Sequence, residues 1–401
     1  MSKSLALLVI LSCLATIMII PDFLSGANAI DNTWVSKAPM PTARTLLGAA
    51  EVNGKIYAIG GFSDLNNTEE YDPISDTWTI KAAMPTPRFS FAIAAYQNKI
   101  YCIGGLVGRG APFSSSVTGA IEVYDPATNT WEVKKPMPTP RSQSEANVVN
   151  DKIYLIGGRT GGQYSTVSTN QVYDPISEKW ETKKSMPYPV VSFSSVAVDN
   201  KIYVMGGQDE FNDPINLDIL QIYECTSDSW TIGTPLPTTV LNSVACTISD
   251  PLGSERIFLI GGQLGAKGSS GNRTDMVQVY NPENNTWSVG VSMLTARDKL
   301  AVAVVSNTIY AMGGAGGNIL SSGEGYAENE AYTPNVDQPP SASPSQTPLP
   351  TQESFPLVTV VTISTVAAVA IGFSLLVYFK KRIPRDEVYD PLSQGNQTSQ
   401  V

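Results

Sequence analysis

The chain of 401 residues is expected to adopt an all-β fold made from copies of one four-stranded unit, on three observations. Paired glycines close an apolar segment at Gly60-Gly61, Gly104-Gly105, Gly157-Gly158, Gly206-Gly207, Gly261-Gly262 and Gly313-Gly314, spaced 44 to 55 residues apart. Every tryptophan falls in one register, at Trp34, Trp78, Trp131, Trp180, Trp230 and Trp287. Between these marks runs a tyrosine phrase: Tyr71-Asp72-Pro73, Tyr124-Asp125-Pro126, Tyr173-Asp174-Pro175, Tyr223-Glu224, Tyr280-Asn281-Pro282 and Tyr332-Thr333-Pro334. A period near 50 residues that holds several short strands is the spacing of a propeller blade and not of a helical solenoid.

Each element of the unit follows from local chemistry. The first strand is a small-residue apolar run such as LLGAAEV (Leu46 to Val52) or FAIAAY (Phe91 to Tyr96). The second is KIYAIGG (Lys55 to Gly61) and its relatives, preceded by NG, QN, ND or DN pairs that suit a tight hairpin turn. The third ends in the tyrosine phrase, and the fourth carries the tryptophan. Trp34 belongs to a fourth strand that lacks its first three, whereas the last unit, Ala301 to Pro334, has three strands and no tryptophan. Joining these ends makes six antiparallel blades and removes the exposed sheet edges, so a monomeric head closed by the N-terminal strand is expected over 30–335.

With MPTPR at Met84 to Arg88 and Met137 to Arg141 added, the order strand, GG, Tyr-Asp-Pro, Trp and Met-Pro-x-x-Arg resembles kelch repeats. The resemblance implies a propeller of four-stranded blades and no single activity, because kelch propellers serve as interaction platforms, sugar-binding or sugar-processing folds and oxidase scaffolds.

Outside the repeats, Lys3 and the apolar run Leu5 to Ile20 before Ala27-Asn28-Ala29 read as a secretory signal over 1–29, with an uncleaved anchor as the alternative. Residues 336–356 form a Pro/Ser/Thr-rich stalk, 357–379 an apolar stretch long enough for one transmembrane helix, and 380–401 a cytoplasmic tail that begins with Lys380, Lys381 and Arg382. The expected topology is a single-pass cell-membrane protein with an extracellular propeller and one span in the lipid bilayer. The stalk, the span and the basic end together resemble archaeal or other prokaryotic surface proteins.

Composition excludes several functions. The chain has no histidine, which removes histidine metal ligands, histidine bases and the copper chemistry of kelch oxidases. Net charge -10 with no concentrated basic surface argues against nucleic acid. No motif calls for a metal or a cofactor.

The glycine pairs and tryptophans read as architecture. Arg44, Arg88, Arg141 and Arg297 follow the Met-Pro phrase, and either line an anion site or pair with buried acids; the structural pairing is preferred. Strands two and three are joined by long loops in five units, and variation on one rim points to recognition there. Its contact candidates are Arg109, Phe113, Tyr164, Asp209, Glu210, Phe211, Asp213, Lys267, Arg273, Asp275 and Glu324. Asp209, Glu210 and Asp213 match no calcium loop. Sequons at Asn66, Asn272 and Asn284 are candidates for glycosylation. Cys225 and Cys246 are either bridged or free. The expected function is a surface binding module for an extracellular protein or glycan, with an extracellular carbohydrate- or peptide-processing enzyme or a structural envelope component as alternatives.

Overall fold

The computed structural model describes residues 32–62, 65–108, 116–161, 165–209, 215–249, 253–264, 272–316 and 325–334. The signal, stalk, span and tail expected from the sequence lie outside them.

Six four-stranded antiparallel sheets form the blades. The first contains Gly48–Val52, Lys55–Ile59, Thr68–Asp72 and Thr77–Ile80, in that order from inside to outside, and the next four repeat the plan. The sixth contains Ala301–Val305, Thr308–Met312 and Asn329–Tyr332, and its outer strand is Val35–Lys37 from the other end of the chain. The register of closure is Val35 opposite Ala331, Ser36 opposite Glu330 and Lys37 opposite Asn329. The sequence-based closure therefore holds.

Residue chemistry explains each position. Second strands are apolar on both faces because each is covered by blades on either side: Ile56, Tyr57, Ala58 and Ile59 are at most 3% exposed. The hairpins leading to them place Asn53-Gly54, Gln97-Asn98, Asn150-Asp151 and Ser306-Asn307 at positive φ, as a two-residue turn with the twist of the flanking strands requires. Outer strands alternate apolar and polar residues and keep one apolar side chain in solvent, such as Ile80, Val133, Ile232 or Val289.

The core lies between blades. Ala50, Val52, Tyr57 and Ile59 of the first blade meet Met84, Phe91, Ile100, Cys102 and Tyr124 around the second. The methionine of each Met-Pro phrase enters such a seam; Met40, Met84, Met137, Met186 and Met293 are all nearly inaccessible, as is Leu236 in the remaining copy. Burying one such side chain contributes roughly 1.5–3 kcal/mol.

Tyrosine and tryptophan stitch the seams. Tyr71 and Trp78, Tyr124 and Trp131, Tyr223 and Trp230, and Tyr280 and Trp287 pack with ring centroids 4.9–5.1 Å apart. Indole Nε1 of Trp78, Trp131, Trp230 and Trp287 donates to the carbonyls of Ala38, Ala82, Lys184 and Thr234 on the neighbouring blade's exit. Trp34 is the most buried of the six, stacks on Tyr332 at 5.2 Å and donates to Val291 O at 2.8 Å.

Glycine is obligatory in the pairs. At Gly104 φ is +67°, and a Cβ there would lie 2.4 Å from the carbonyl oxygen of Arg141, where the next blade's entry segment crosses. All twelve glycines of the six pairs have positive φ. Cys102, Cys225 and Cys246 are free thiols, so the bridge between Cys225 and Cys246 does not form. The sequence also gave no sign of three small ribbons beyond the blades: Leu106–Val107 with Ser116–Val117, Gln208–Asp209 with Ile215–Asn216, and Val240–Leu241 with Gln263–Leu264.

Candidate functional site

Strand direction sorts the connections into two faces. Entry segments and second-to-third connections share one face, while the hairpin turns and the third-to-fourth turns share the other. Bridges between Phe89 and Leu106, Ser142 and Arg159, Val191 and Gln208, and Asp298 and Ala315 join each entry segment to the chain just beyond a glycine pair.

The arginines lie beneath this face and not on it. Arg44, Arg88, Arg141 and Arg297 are at most 1% exposed. Arg44 Nη1 donates to the carbonyls of Gly60 and Asn67 at 3.2 Å, and its Nη2 pairs with Glu69. Arg297 repeats the geometry on Gly313, Glu328 and Glu330, and Arg88 bonds Cys102 O at 3.0 Å and Glu122 at 3.2 Å. Arg44, Arg141 and Arg297 thus satisfy the carbonyl of the first glycine where the pair breaks the ladder, Arg88 a carbonyl of the strand before it, and the geometry is that of structural pairing, with all four guanidinium groups out of solvent. Burial holds Arg44 and Arg297 below the ordinary range, against the opposing pull of Glu69 and Glu330.

The partners of the arginines form a row that sequence reasoning missed. Glu69, Glu122, Gln171, Gln221, Gln278 and Glu330 stand two residues before the tyrosine of each unit, all buried. Where Val190 and Val240 replace arginine, Gln221 and Gln278 turn to the backbone of Tyr188 and Thr238 instead. The third blade mixes the two schemes. Arg141 faces Gln171 Oε1 at 2.9 Å with no carboxylate, and burial pulls the guanidinium down to about 10.

At the centre, residues from all six blades line a cavity of about 110 Å³. Leu46, Ser90, Gln143, Ser192, Asn242 and Lys299, two residues beyond the arginine or valine of each unit, all take φ between 51° and 57°. Left-handed backbone at a non-glycine residue is costly and persists only when its surroundings enforce it. Here a belt of backbone hydrogen bonds does so: Leu46 N to Lys299 O, Ser90 N to Leu46 O, Gln143 N to Ser90 O, Asn242 N to Ser192 O and Lys299 N to Asn242 O, each 2.9–3.0 Å. Leu47, Phe91, Ser144, Glu145, Phe193, Ser243 and Leu300 complete the wall. Desolvation pushes the Glu145 carboxyl up to about 8, although the side chain keeps partial exposure through the cavity.

Of the rim candidates, Arg273 is drawn inward, its Nε 3.3 Å from the buried Asp298 carboxylate. Asp209 sits in the ribbon that begins at Gln208, and Asp275 receives the Met293 amide on its carbonyl. Arg109, Phe113, Tyr164, Glu210, Phe211, Asp213, Lys267 and Glu324 lie outside the described residues. Asn272 and Asn284 are exposed, whereas the amide of Asn66 donates to Met84 O inside a seam. Among the described residues no group of three or more acids and cysteines is placed to hold a metal ion.

Comparison with known proteins places this geometry. The family model for the Attractin/LZTR1 beta-propeller matches residues 110–338, and the Kelch motif model matches 43–85. Kelch-like protein 7 of Homo sapiens and of Rattus norvegicus is 51% identical over 137 residues, 33% of this chain and 23% of the relative. Kelch-like protein terF of Aspergillus terreus is 30% identical over 133 residues, 33% of this chain and 19% of the relative. The chain therefore matches about a quarter or less of the length of these curated relatives. Among solved structures, that of YjhT superposes with a TM-score of 0.62 at 18% identity, over 73% of this chain and 95% of the other, a likeness of fold.

These relatives correct part of the sequence reading. The repeats are of kelch type, but the matched proteins are Kelch-like proteins of vertebrates and a fungus, so the resemblance to archaeal or other prokaryotic surface proteins does not stand. With it go the single-pass cell-membrane location, the lipid bilayer as partner and the extracellular protein or glycan, all of which rested on treating terminal apolar stretches and a Pro-rich segment as a surface anchor. Among the described residues no helix is long and apolar enough to cross a membrane. Kelch-type propellers are used for protein–protein or protein–ligand interaction.

Proposed function

We propose that this chain, which belongs to the Attractin/LZTR1 beta-propeller family, works as a protein-recognition module and not as an enzyme, through the face that carries the entry segments and second-to-third connections. The observation that carries the reading is the convergence of six entry segments on one face around a polar axial mouth, whose lining ranges from Leu46 through Gln143 and Asn242 to Lys299, above a scaffold that repeats almost unchanged. Such a division suits recognition, with rigid strands holding variable positions in fixed relative places. On the same face Tyr188 and Leu294 project from entry segments at 51% and 57% exposure, the kind of side chain that anchors a protein contact.

The test compares the two faces. A photo-crosslinking residue placed at Tyr188 or Leu294 is expected to capture a partner protein, while the same residue at Ile74 or Ile176, exposed on turns of the opposite face, is expected to capture none. Equal capture from both faces, or capture from Ile74 and Ile176 alone, would overturn the assignment.

A further inference from the structure

We infer that the axial cavity is a binding site for a small zwitterion, a solute of amino-acid size that carries an ammonium group and a carboxylate, separate from the protein contact proposed above. Glu145 opens the innermost strand of the third blade, and Lys299 precedes that of the sixth. In a ring of six these blades stand opposite each other, so a carboxyl and an ammonium group line one cavity from opposite walls. Neither has an ion-pair partner among the described residues, although most charged side chains on the inner two strands of other blades do, Lys55 with Asp72 and Lys99 with Asp125 among them.

A second, independent observation concerns hydrogen bonding. Ser144 is 3% exposed, lines the cavity, and its Oγ has no hydrogen-bond partner. Ser90 Oγ and Gln143 Oε1, on the same wall, are likewise buried and unsatisfied. Buried polar atoms are rarely left so, and a group of three around one cavity marks a place prepared for polar atoms that come from outside the chain. Water alone would satisfy hydroxyls. It would give the Lys299 ammonium no counter-charge and the Glu145 carboxyl no cation, and it does not account for the belt of strained backbone that holds those side chains at the axis.

Size and polarity narrow the class. A volume of about 110 Å³ holds a few water molecules at ~30 Å³ each, which suits a compact solute better than a polypeptide segment. An anion alone would meet Lys299 and leave Glu145 without a cation; an amine alone would do the reverse. A zwitterion satisfies both walls, and its ammonium group would draw the Glu145 carboxyl from the protonated towards the ionised form.

The experiment titrates the full chain by calorimetry with β-alanine, 4-aminobutanoate and lysine, and with butylamine and butanoate as compounds carrying one charge each. At least one zwitterion is expected to bind at least tenfold more tightly than butylamine or butanoate. Lys299→Met and Glu145→Gln are each expected to weaken that zwitterion by tenfold or more. The comparison of ligands on the unaltered protein decides the question even if a variant fails to fold. Absence of binding by every compound would overturn the proposal and leave the cavity to water. Butanoate binding as tightly as the zwitterions would also overturn it, in favour of a simple anion site. Because no protein partner enters the assay, failure here leaves the crosslinking result untouched, and the converse holds.

Discussion

Replacing Glu178 by asparagine is expected to stabilise the propeller by about 2 kcal/mol, at the seam between the second and third blades. The equivalent turn residue elsewhere is Asp76, Asn129, Asp228 or Asn285, whose Oδ1 accepts the tyrosine hydroxyl of its own blade at 2.6–2.8 Å. The same oxygen accepts a backbone amide from the neighbouring blade, that of Ala38, Ala82, Lys184 or Thr234, at 2.8–2.9 Å. Glu178 is one methylene longer and turns to Lys134 Nζ at 2.9 Å, so Tyr173 Oη and Trp180 Nε1 are buried without partners. Two recovered hydrogen bonds contribute roughly 0.5–1.5 kcal/mol each. Asparagine also tolerates φ +54° better than glutamate does, which adds about 0.5 kcal/mol. Against this stands the lost contact with Lys134, which as a partly exposed pair is worth about 0–1 kcal/mol. Urea denaturation at neutral pH reads the change as a higher midpoint at unchanged slope. The reciprocal change Asn129→Glu should cost a similar amount. If Glu178→Asn proves neutral while Asn129→Glu costs nothing, the turn residue does not hold the seam and the reasoning fails.

Three further outcomes are expected. Gln171→Glu supplies the carboxylate that Arg141 lacks; a guanidinium lowered from 12.5 to about 10 carries a burial penalty of about 3 kcal/mol, so a gain of about 1–3 kcal/mol in thermal melts is expected, and Glu122→Gln should lose about 3 kcal/mol or more. Glu145 is protonated more readily in the folded chain than in the unfolded one, so the native state holds the extra proton between 4.5 and about 8 and stability falls as pH rises through that window. Water in the cavity screens the effect to about 2–3 kcal/mol between pH 5 and pH 9, and Glu145→Gln should remove that slope in unfolding free energies measured across the range. Trp34→Ala removes the stack on Tyr332 and the bond to Val291, and a loss of about 3–5 kcal/mol in the unfolding free energy from chemical denaturation, with earlier exchange of the Asn329–Tyr332 amides, would report the ring opening at its closure.

How much of this was legible in the sequence depends on whether a residue acts in its own unit or between units. Glycine pairs, tyrosines and tryptophans declare themselves because each copy needs the same backbone break and the same ring in the same place, and closure by Val35–Lys37 followed from a lone fourth strand at one end and a unit of three strands at the other. The arginines were visible and pairing with buried acids was the preferred reading, but the partners were not: Glu69 and Glu122 reach Arg44 and Arg88 from third strands 25 and 34 residues later. Those partners could be read in retrospect, since a glutamate or glutamine stands two residues before the third-strand tyrosine of every unit. The axial ring was illegible for another reason. Ser90, Gln143, Asn242 and Lys299 share no chemistry, and only the ring symmetry places them side by side.

Completing the sixth blade with a strand from the far end of the chain governs the order in which the molecule can assemble. Five blades consist of contiguous sequence and are free to form as they are made, but Val35 waits for Ala331, and closing a loop of nearly 300 residues costs roughly 5 kcal/mol in chain entropy. During that interval the edge at Asn329–Tyr332 is open to any matching strand, including Val35–Lys37 of a second molecule. Exchange of this one segment would give a swapped dimer with every native contact intact. Dilution during refolding therefore selects the closed monomer, and moving the termini into the Gln97-Asn98 turn, so that the sixth blade becomes contiguous, would shift the waiting step to another seam without altering the ring itself.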